Sequence, residues 1–337
     1  MEQKKLWDEL AHGELGKLYL LYGEERFLVA RYAAAIEKTA GDSQEHPLYK
    51  DVFESASTAQ DIISAAETVP FLPGKRLIVV KDSKLFAAGR KAESETMAEY
   101  LPKIPNETII VFIESEIDRR LRLFKRASEL GRVLDCEIQT PQALVKWLTR
   151  MASEKGKNIA PSTANLLLST CGNDMTNLFQ ETDKLINYCG GSKEITPADI
   201  KAICTPTLEA RIFGLTKAMG AGRASEAISL YNTMLIMKES PISILSMIIR
   251  QLRIILLCKC ANEKNIPRPK IAGELNIRDF VVSEALAQGK RFTKEHLILS
   301  LKDCQDTDIK IKTGLISQEI GVEMLLLRVS GTNNIYS

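Results

Sequence analysis

LYLLYGEERFLVARY occupies residues Leu18–Tyr32. A short apolar run, Leu18 to Tyr22, stops at Gly23, and a helical pattern follows at once with Leu28, Tyr32 and Ile36 on one face. This is the strand, turn and helix in which a phosphate-binding loop sits. Such a loop needs a second glycine five residues after the first, then lysine, then serine or threonine. Its backbone amides cradle phosphate, its lysine reaches the outer phosphates, and its hydroxyl holds magnesium. Here the three places are Leu28, Val29 and Ala30, and the turn carries Glu24 and Glu25, which would repel a triphosphate. No other stretch supplies the motif. The pairs Gly16-Lys17, Gly74-Lys75, Gly156-Lys157 and Gly289-Lys290 are preceded at the required distance by Ala11, Val69, Met151 and Glu284. The chain therefore has the shape of a nucleotide site without its chemistry.

Outward from this point, residues 1–139 alternate strand and helix signals. Strands are expected at Leu18–Tyr22, Tyr49–Phe53, Arg76–Lys81, Thr108–Glu114 and Arg132–Asp135, with helical patterns at Glu24–Thr39, Ala59–Thr68, Ala92–Leu101 and Arg119–Leu130. Strands separated by helices imply a parallel sheet covered on both faces, and RLIVV and TIIVFI are as apolar as central parallel strands should be. Thr58 with Asp61 reads as a capping box. After Cys136 strand signals cease. Helices are expected near 141–155, 161–171, 174–189 and 197–204, making a small helical domain over residues 140–207. A second helical domain fills 208–337, with breaks at Gly220–Gly222, Ser240-Pro241, Ile266-Pro267, Ile277 and Gly314.

The 337 residues carry a formal charge of +2, which excludes a strongly basic nucleic-acid binder but not a local basic surface. Seven scattered cysteines point to reduced thiols in a cytoplasm. Cys258 and Cys260 point apart on a helix, and His12, His46 and His296 are remote from one another, so neither a metal centre nor a nucleophilic triad is expected. The charged N-terminus has no signal-peptide core. The most apolar stretch, Ile242 to Leu257, is interrupted by Ser246, Arg250, Gln251 and Arg253 and reads as a helix buried among others rather than a membrane span.

The layout, a parallel α/β domain, a small helical lid and a helical C-terminal domain, resembles clamp-loader subunits of the AAA+ class. More narrowly, LYLLYGEERFLVAR, VPFLPGKRLIVVKD, DRRLRLFKRASELG, CGNDMTNLFQETDKLINYCG and DTDIKIKTGLISQEIGVEMLLLR, in this order, resemble the delta-subunit family of bacterial DNA polymerase III. The resemblance implies an AAA+-like (RecA-like) N-terminal domain with a degenerate phosphate loop, a lid, and a C-terminal collar that assembles with other loader subunits. It implies a protein that binds the sliding clamp (beta) and holds it open without hydrolysing ATP. The partners would be gamma/tau and delta prime in a hetero-pentamer, on primer–template DNA. No intrinsic catalytic site and no cofactor are expected; the chain would be a non-catalytic subunit of a DNA-directed DNA polymerase holoenzyme. The alternatives are an active P-loop ATPase, which Leu28, Val29 and Ala30 oppose, and a helical adaptor unrelated to replication.

The family's clamp-binding element corresponds to Val69-Pro70-Phe71-Leu72-Pro73-Gly74, with Pro70 and Phe71 at the pocket-entering places and Leu72 beside them. Two prolines would stiffen such a tip and display Phe71 and Leu72 at low entropic cost. The residues alone leave open that Phe71 and Leu72 fill their own core. Pro70 departs from members that carry leucine there. Asp82 lacks the acidic neighbour an active ATPase would have and reads as a loop residue, and Leu134-Asp135-Cys136 stands near the place of the loader's Ser-Arg-Cys motif. Arg119, Arg120 and Arg122 lie in a basic run that could meet DNA phosphates or simply form a solvated helix face; Lys310 and Lys312 are equally ambiguous.

Overall fold

All five expected strands form at the expected residues: β1 (Leu18–Tyr22), β2 (Tyr49–Phe53), β3 (Arg76–Lys81), β4 (Thr108–Glu114) and β5 (Arg132–Asp135). The computed structural model describes residues 12–41, 48–68, 74–277 and 279–332, together with Leu6, Glu9 and Leu10. Pro70, Phe71 and Leu72 lie outside the described residues. The chain divides into two units, Met1–Thr140 and Pro141–Ser337.

In the first unit every strand pairing is parallel and the order is β2-β3-β4-β1-β5. Each strand must cross over through a helix: α1 (Arg26–Gly41), α2 (Ala59–Glu67), α3 (Lys91–Tyr100) and α4 (Arg122–Leu130). Alternation along the strands decides which helix meets which face. Leu18, Leu20, Ile78, Val80, Ile110 and Phe112 pack with Ile62 and Ala66 of α2, Met97 of α3, and Leu123 and Ala127 of α4. On the other face Leu77, Val79, Val111 and Ile113 meet α1 at Val29, Ala30, Ala33 and Ala34 around a cavity of about 450 Å³. The capping box forms as read: Thr58 Oγ1 accepts from Asp61 N, and Asp61 accepts from Thr58 N.

Helix α4 begins at Arg122 and not at Arg119. Asp118 Oδ1 accepts from Arg120 N at 2.9 Å and Asp118 O from Leu121 N at 3.1 Å. That local turn competes with helix formation over Asp118–Leu121.

The second unit is helical: α5 (Pro141–Glu154), α6 (Pro161–Cys171), α7 (Met175–Tyr188), α8 (Pro197–Ile203), α9 (Leu208–Gly220), α10 (Ala224–Ile236), α11 (Pro241–Glu263), α12 (Arg268–Leu275), α13 (Asp279–Gly289), α14 (Lys294–Lys312) and α15 (Gln318–Thr332). It also holds a pair of two-residue parallel strands, Asn158–Ile159 with Glu194–Ile195, where no strand was expected. A break at Lys290–Thr293 also separates α13 from α14. One continuous core runs from Ile212 to Val329. By length and composition α11 could cross a membrane, with mean hydropathy 1.7 over its most apolar window. Its Ile244, Leu245, Ile248, Leu252, Ile255 and Cys258 are buried in that core, and Arg250 and Arg253 face solvent.

Candidate functional site

The turn after β1 is closed by the protein itself. Gly23 has φ of +122°, and a Cβ there would lie 2.3 Å from the Cys136 carbonyl oxygen. Glycine is therefore required for close approach of two backbones, not for phosphate. Cys136 N donates to Tyr22 O at 2.6 Å, and Cys136 O accepts from Glu25 N at 2.8 Å. An amide that a phosphate loop would aim at its ligand is thus satisfied from within. Glu25 Oε1 accepts from Phe27 N at 3.2 Å, placing a carboxylate at the start of α1, where the dipole and free N–H groups would otherwise attract an anion. Cys136 is fully buried, and burial, then Asp135 and Glu25, push its thiol up to about 12.

The three signature places are re-used. Leu28 and Val29 are 8% and 3% exposed and belong to the α1 packing face, while Ala30 lines the cavity between α1 and the sheet. A lysine at Val29 would have to bury its ammonium in that packing.

At the ends of β3 and β4 a second set of groups converges. Glu114 is 1% exposed. It accepts from Ser83 N and Lys84 N, both at 3.2 Å, and from Ser83 Oγ. Burial is the main cause that raises its carboxyl to about 7, and the Ser83 and Lys84 donors work against it. Asp82, at φ +45°, accepts from Ser115 Oγ at 2.7 Å. Arg90 donates to Ser83 O at 2.7 Å and Ser57 O at 2.9 Å and pairs with Glu93, tying the start of α3 to the cap of α2. The place of an ATPase acidic pair is a structural knot. Sequence reading passed over Glu114, whose visible signal was an acid ending the apolar strand TIIVFIE.

The segment expected to dock a clamp has both ends anchored. Before it, Thr108 Oγ1 donates to Ala66 O at 3.1 Å and Thr68 N to Ala65 O at 3.3 Å. After it, Tyr49 N donates to Lys75 O at 3.0 Å, Arg76 N to Glu107 O at 2.8 Å, and Arg76 Nη1 pairs with Asp51 at 2.5 Å.

The three arginines are each met by carboxylates. Arg119 pairs with Asp135 at 2.6 Å and lies over the Tyr22 ring at 5.8 Å; Tyr22 also donates to Asp135 at 2.9 Å. Arg120, 90% exposed, pairs with Asp118 at 2.8 Å, and its hydrogen bonds hold the Asp118 carboxyl down at about 2. Arg122 meets Glu95 at 3.0 Å and Glu99 at 3.4 Å. Lys312 pairs with Asp308 at 2.7 Å. The structure thus disperses the basic run among acids.

Family models place residues 19–137 with the DNA polymerase III delta subunit and residues 209–329 with its C-terminal domain. The chain is 26% identical over 336 residues to the DNA polymerase III subunit delta of Bacillus subtilis, covering 97% of each. It is 19% identical over 195 residues to a probable delta subunit of Aquifex aeolicus, covering 56% of this chain and 54% of that one. Among solved structures, the Bacillus subtilis DNA clamp loader delta protein aligns with a TM-score of 0.74 at 26% identity, over 98% of this chain and 99% of the other. The fold, the two matched regions and the full-length likeness agree: the chain belongs to the DNA polymerase III delta-subunit family.

Proposed function

We propose that this chain is the clamp-opening delta subunit of a replicative clamp loader, acting in the cytoplasm without binding or hydrolysing ATP. It engages the sliding clamp through Pro70, Phe71 and Leu72, and joins gamma/tau and delta prime subunits on primer–template DNA. The observation that carries this reading is the likeness over nearly the whole chain to a clamp loader delta protein. The β1–α1 turn supports the ATP-free part, because its amide and helix start are already met by Cys136 and Glu25. The anchored flanks at Ala66–Thr68 and Lys75–Arg76 support a docking segment between them. Within this reading residues 140–207 are the lid, and 208–337 form the collar that assembles with partners. For Arg119, Arg120 and Arg122, DNA contact would require exchanging their present carboxylate partners for phosphates.

The test is capture by the cognate sliding clamp with nucleotide omitted, comparing wild type with Phe71→Ala and Phe71→Ala/Leu72→Ala. Removing an aromatic anchor of ~2–4 kcal/mol should lower clamp affinity roughly thirty- to a thousand-fold, with the melting temperature held. A large drop in melting temperature with unchanged affinity would assign both residues to the core instead.

A further inference from the structure

Three helices of the 141–207 region bring together two thiols and a carboxylate that the proposed clamp-loading role leaves unused. Cys171 ends α6, Cys204 follows α8, and Glu181 lies within α7; they are 1%, 7% and 7% exposed. The two sulfurs and a Glu181 carboxylate oxygen all lie within 4.8 Å of one another. One oxygen of Glu181 is held by Lys184 Nζ at 2.6 Å, while the buried Oε2 has no hydrogen-bond partner. A buried acceptor left in this way is costly unless something compensates it.

We propose that Cys171, Glu181 and Cys204 form a binding site for a soft divalent cation, zinc first, that ties α6, α7 and α8 together. The donor set argues for the class: two sulfurs and one oxygen suit zinc, whereas magnesium and calcium take oxygen sets. Charge balance argues for the valence. Two thiolates and a carboxylate carry three negative charges, and a dication with the Lys184 ammonium returns the buried cluster to neutrality. Zinc–sulfur bonds of about 2.3 Å and zinc–oxygen bonds of about 2.0–2.2 Å place such ligands roughly 3.5–4 Å apart, so only a small contraction is needed. Three protein ligands leave one position for water. The ligands come from the end of α6, the middle of α7 and the residue after α8, so the ion would act as a cross-link in a region whose long-range backbone ties include the two-residue strand pair at Asn158–Ile159 and Glu194–Ile195 and the Thr207 N to Thr170 O hydrogen bond at 3.0 Å. No short motif announces the site, because its members are spread from 171 to 204 and meet only when the helices pack.

The experiment uses the full chain purified under reducing, anaerobic conditions. Elemental analysis should find about one zinc per chain. After chelation, cobalt(II) should restore a thiolate-to-metal absorption that saturates at about one equivalent, and zinc should raise the melting temperature. Cys171→Ser/Cys204→Ser should lose all three responses, whereas Cys189→Ser/Cys260→Ser should keep them. Glu181→Gln, which keeps both thiols, should weaken zinc binding roughly tenfold or more. Should the double-serine chain fail to fold, the wild-type titration and Glu181→Gln still decide. A folded, reduced wild type that takes up neither zinc nor cobalt overturns the proposal. So does a cobalt spectrum that survives loss of Cys171 and Cys204, or a Cys171–Cys204 disulfide in metal-free protein.

Discussion

The β1–α1 turn and the ends of β3 and β4 each set a glutamate against backbone N–H groups, in opposite surroundings. Glu25 is half-buried and caps α1 through Phe27 N, sharing the turn with Cys136. Glu114 is fully enclosed and accepts from Ser83 and Lys84. At the first, the anion site of a helix start is filled by a side chain at small cost, because solvent still screens it. At the second, burial opposes ionisation, and the donors only partly offset it. In this chain the positions that would serve nucleotide chemistry hold the C-terminal ends of the central strands together.

The comparison is broken most forcefully at Gly23. Gly23→Ala would press a Cβ to 2.3 Å from Cys136 O at a φ of +122°. A loss of about 3–4 kcal/mol of stability is expected from the strain and the parted backbones. Urea unfolding measures it, and a change below about 1 kcal/mol would mean that the Tyr22–Cys136 and Glu25–Cys136 hydrogen bonds do not hold this turn.

Glu114 sharpens the contrast through pH. Its carboxyl is raised from an ordinary 4.5 to about 7 in the folded chain. Below pH 4.5 both states are protonated and its contribution is fully present. As pH rises through about 7 the unfolded chain sheds its proton first, and stability falls. The span corresponds to an effect on the order of 3 kcal/mol. Glu114→Gln cannot ionise, so unfolding free energies of the two proteins should converge in acid and separate in the variant's favour above neutrality. Parallel pH profiles would show that Glu114 titrates normally.

The smallest effect belongs to Glu25. Glu25→Ala removes the cap on Phe27 N and should cost about 1 kcal/mol. It should not create an ATP site, since Leu28 and Val29 remain buried and no lysine takes their place. Titration with a labelled ATP analogue and magnesium checks this in wild type and variant; saturable micromolar binding by either would contradict the ATP-free reading.

What the sequence alone determined was local. Each parallel strand is an apolar run bounded by turn residues, so all five were legible at their true ends, and the missing glycine, lysine and hydroxyl at Leu28, Val29 and Ala30 were visible by position. The cap at Thr58 was legible because its partner Asp61 lies three residues on. Tertiary structure decided the rest. The strand pair at Asn158 and Glu194 is too short to carry a period of its own and exists only through its partner. The start of α4 moved because Asp118 could bond its neighbours more readily than the helix could begin. Cys136 closing on Gly23, Ser83 on Glu114, and Cys171 and Cys204 on Glu181 join residues 10 to 113 positions apart. Hydrophobic periodicity records which face of an element is buried; which polar group meets which inside is set only when the elements pack, because each such group must then find a partner or bear its desolvation.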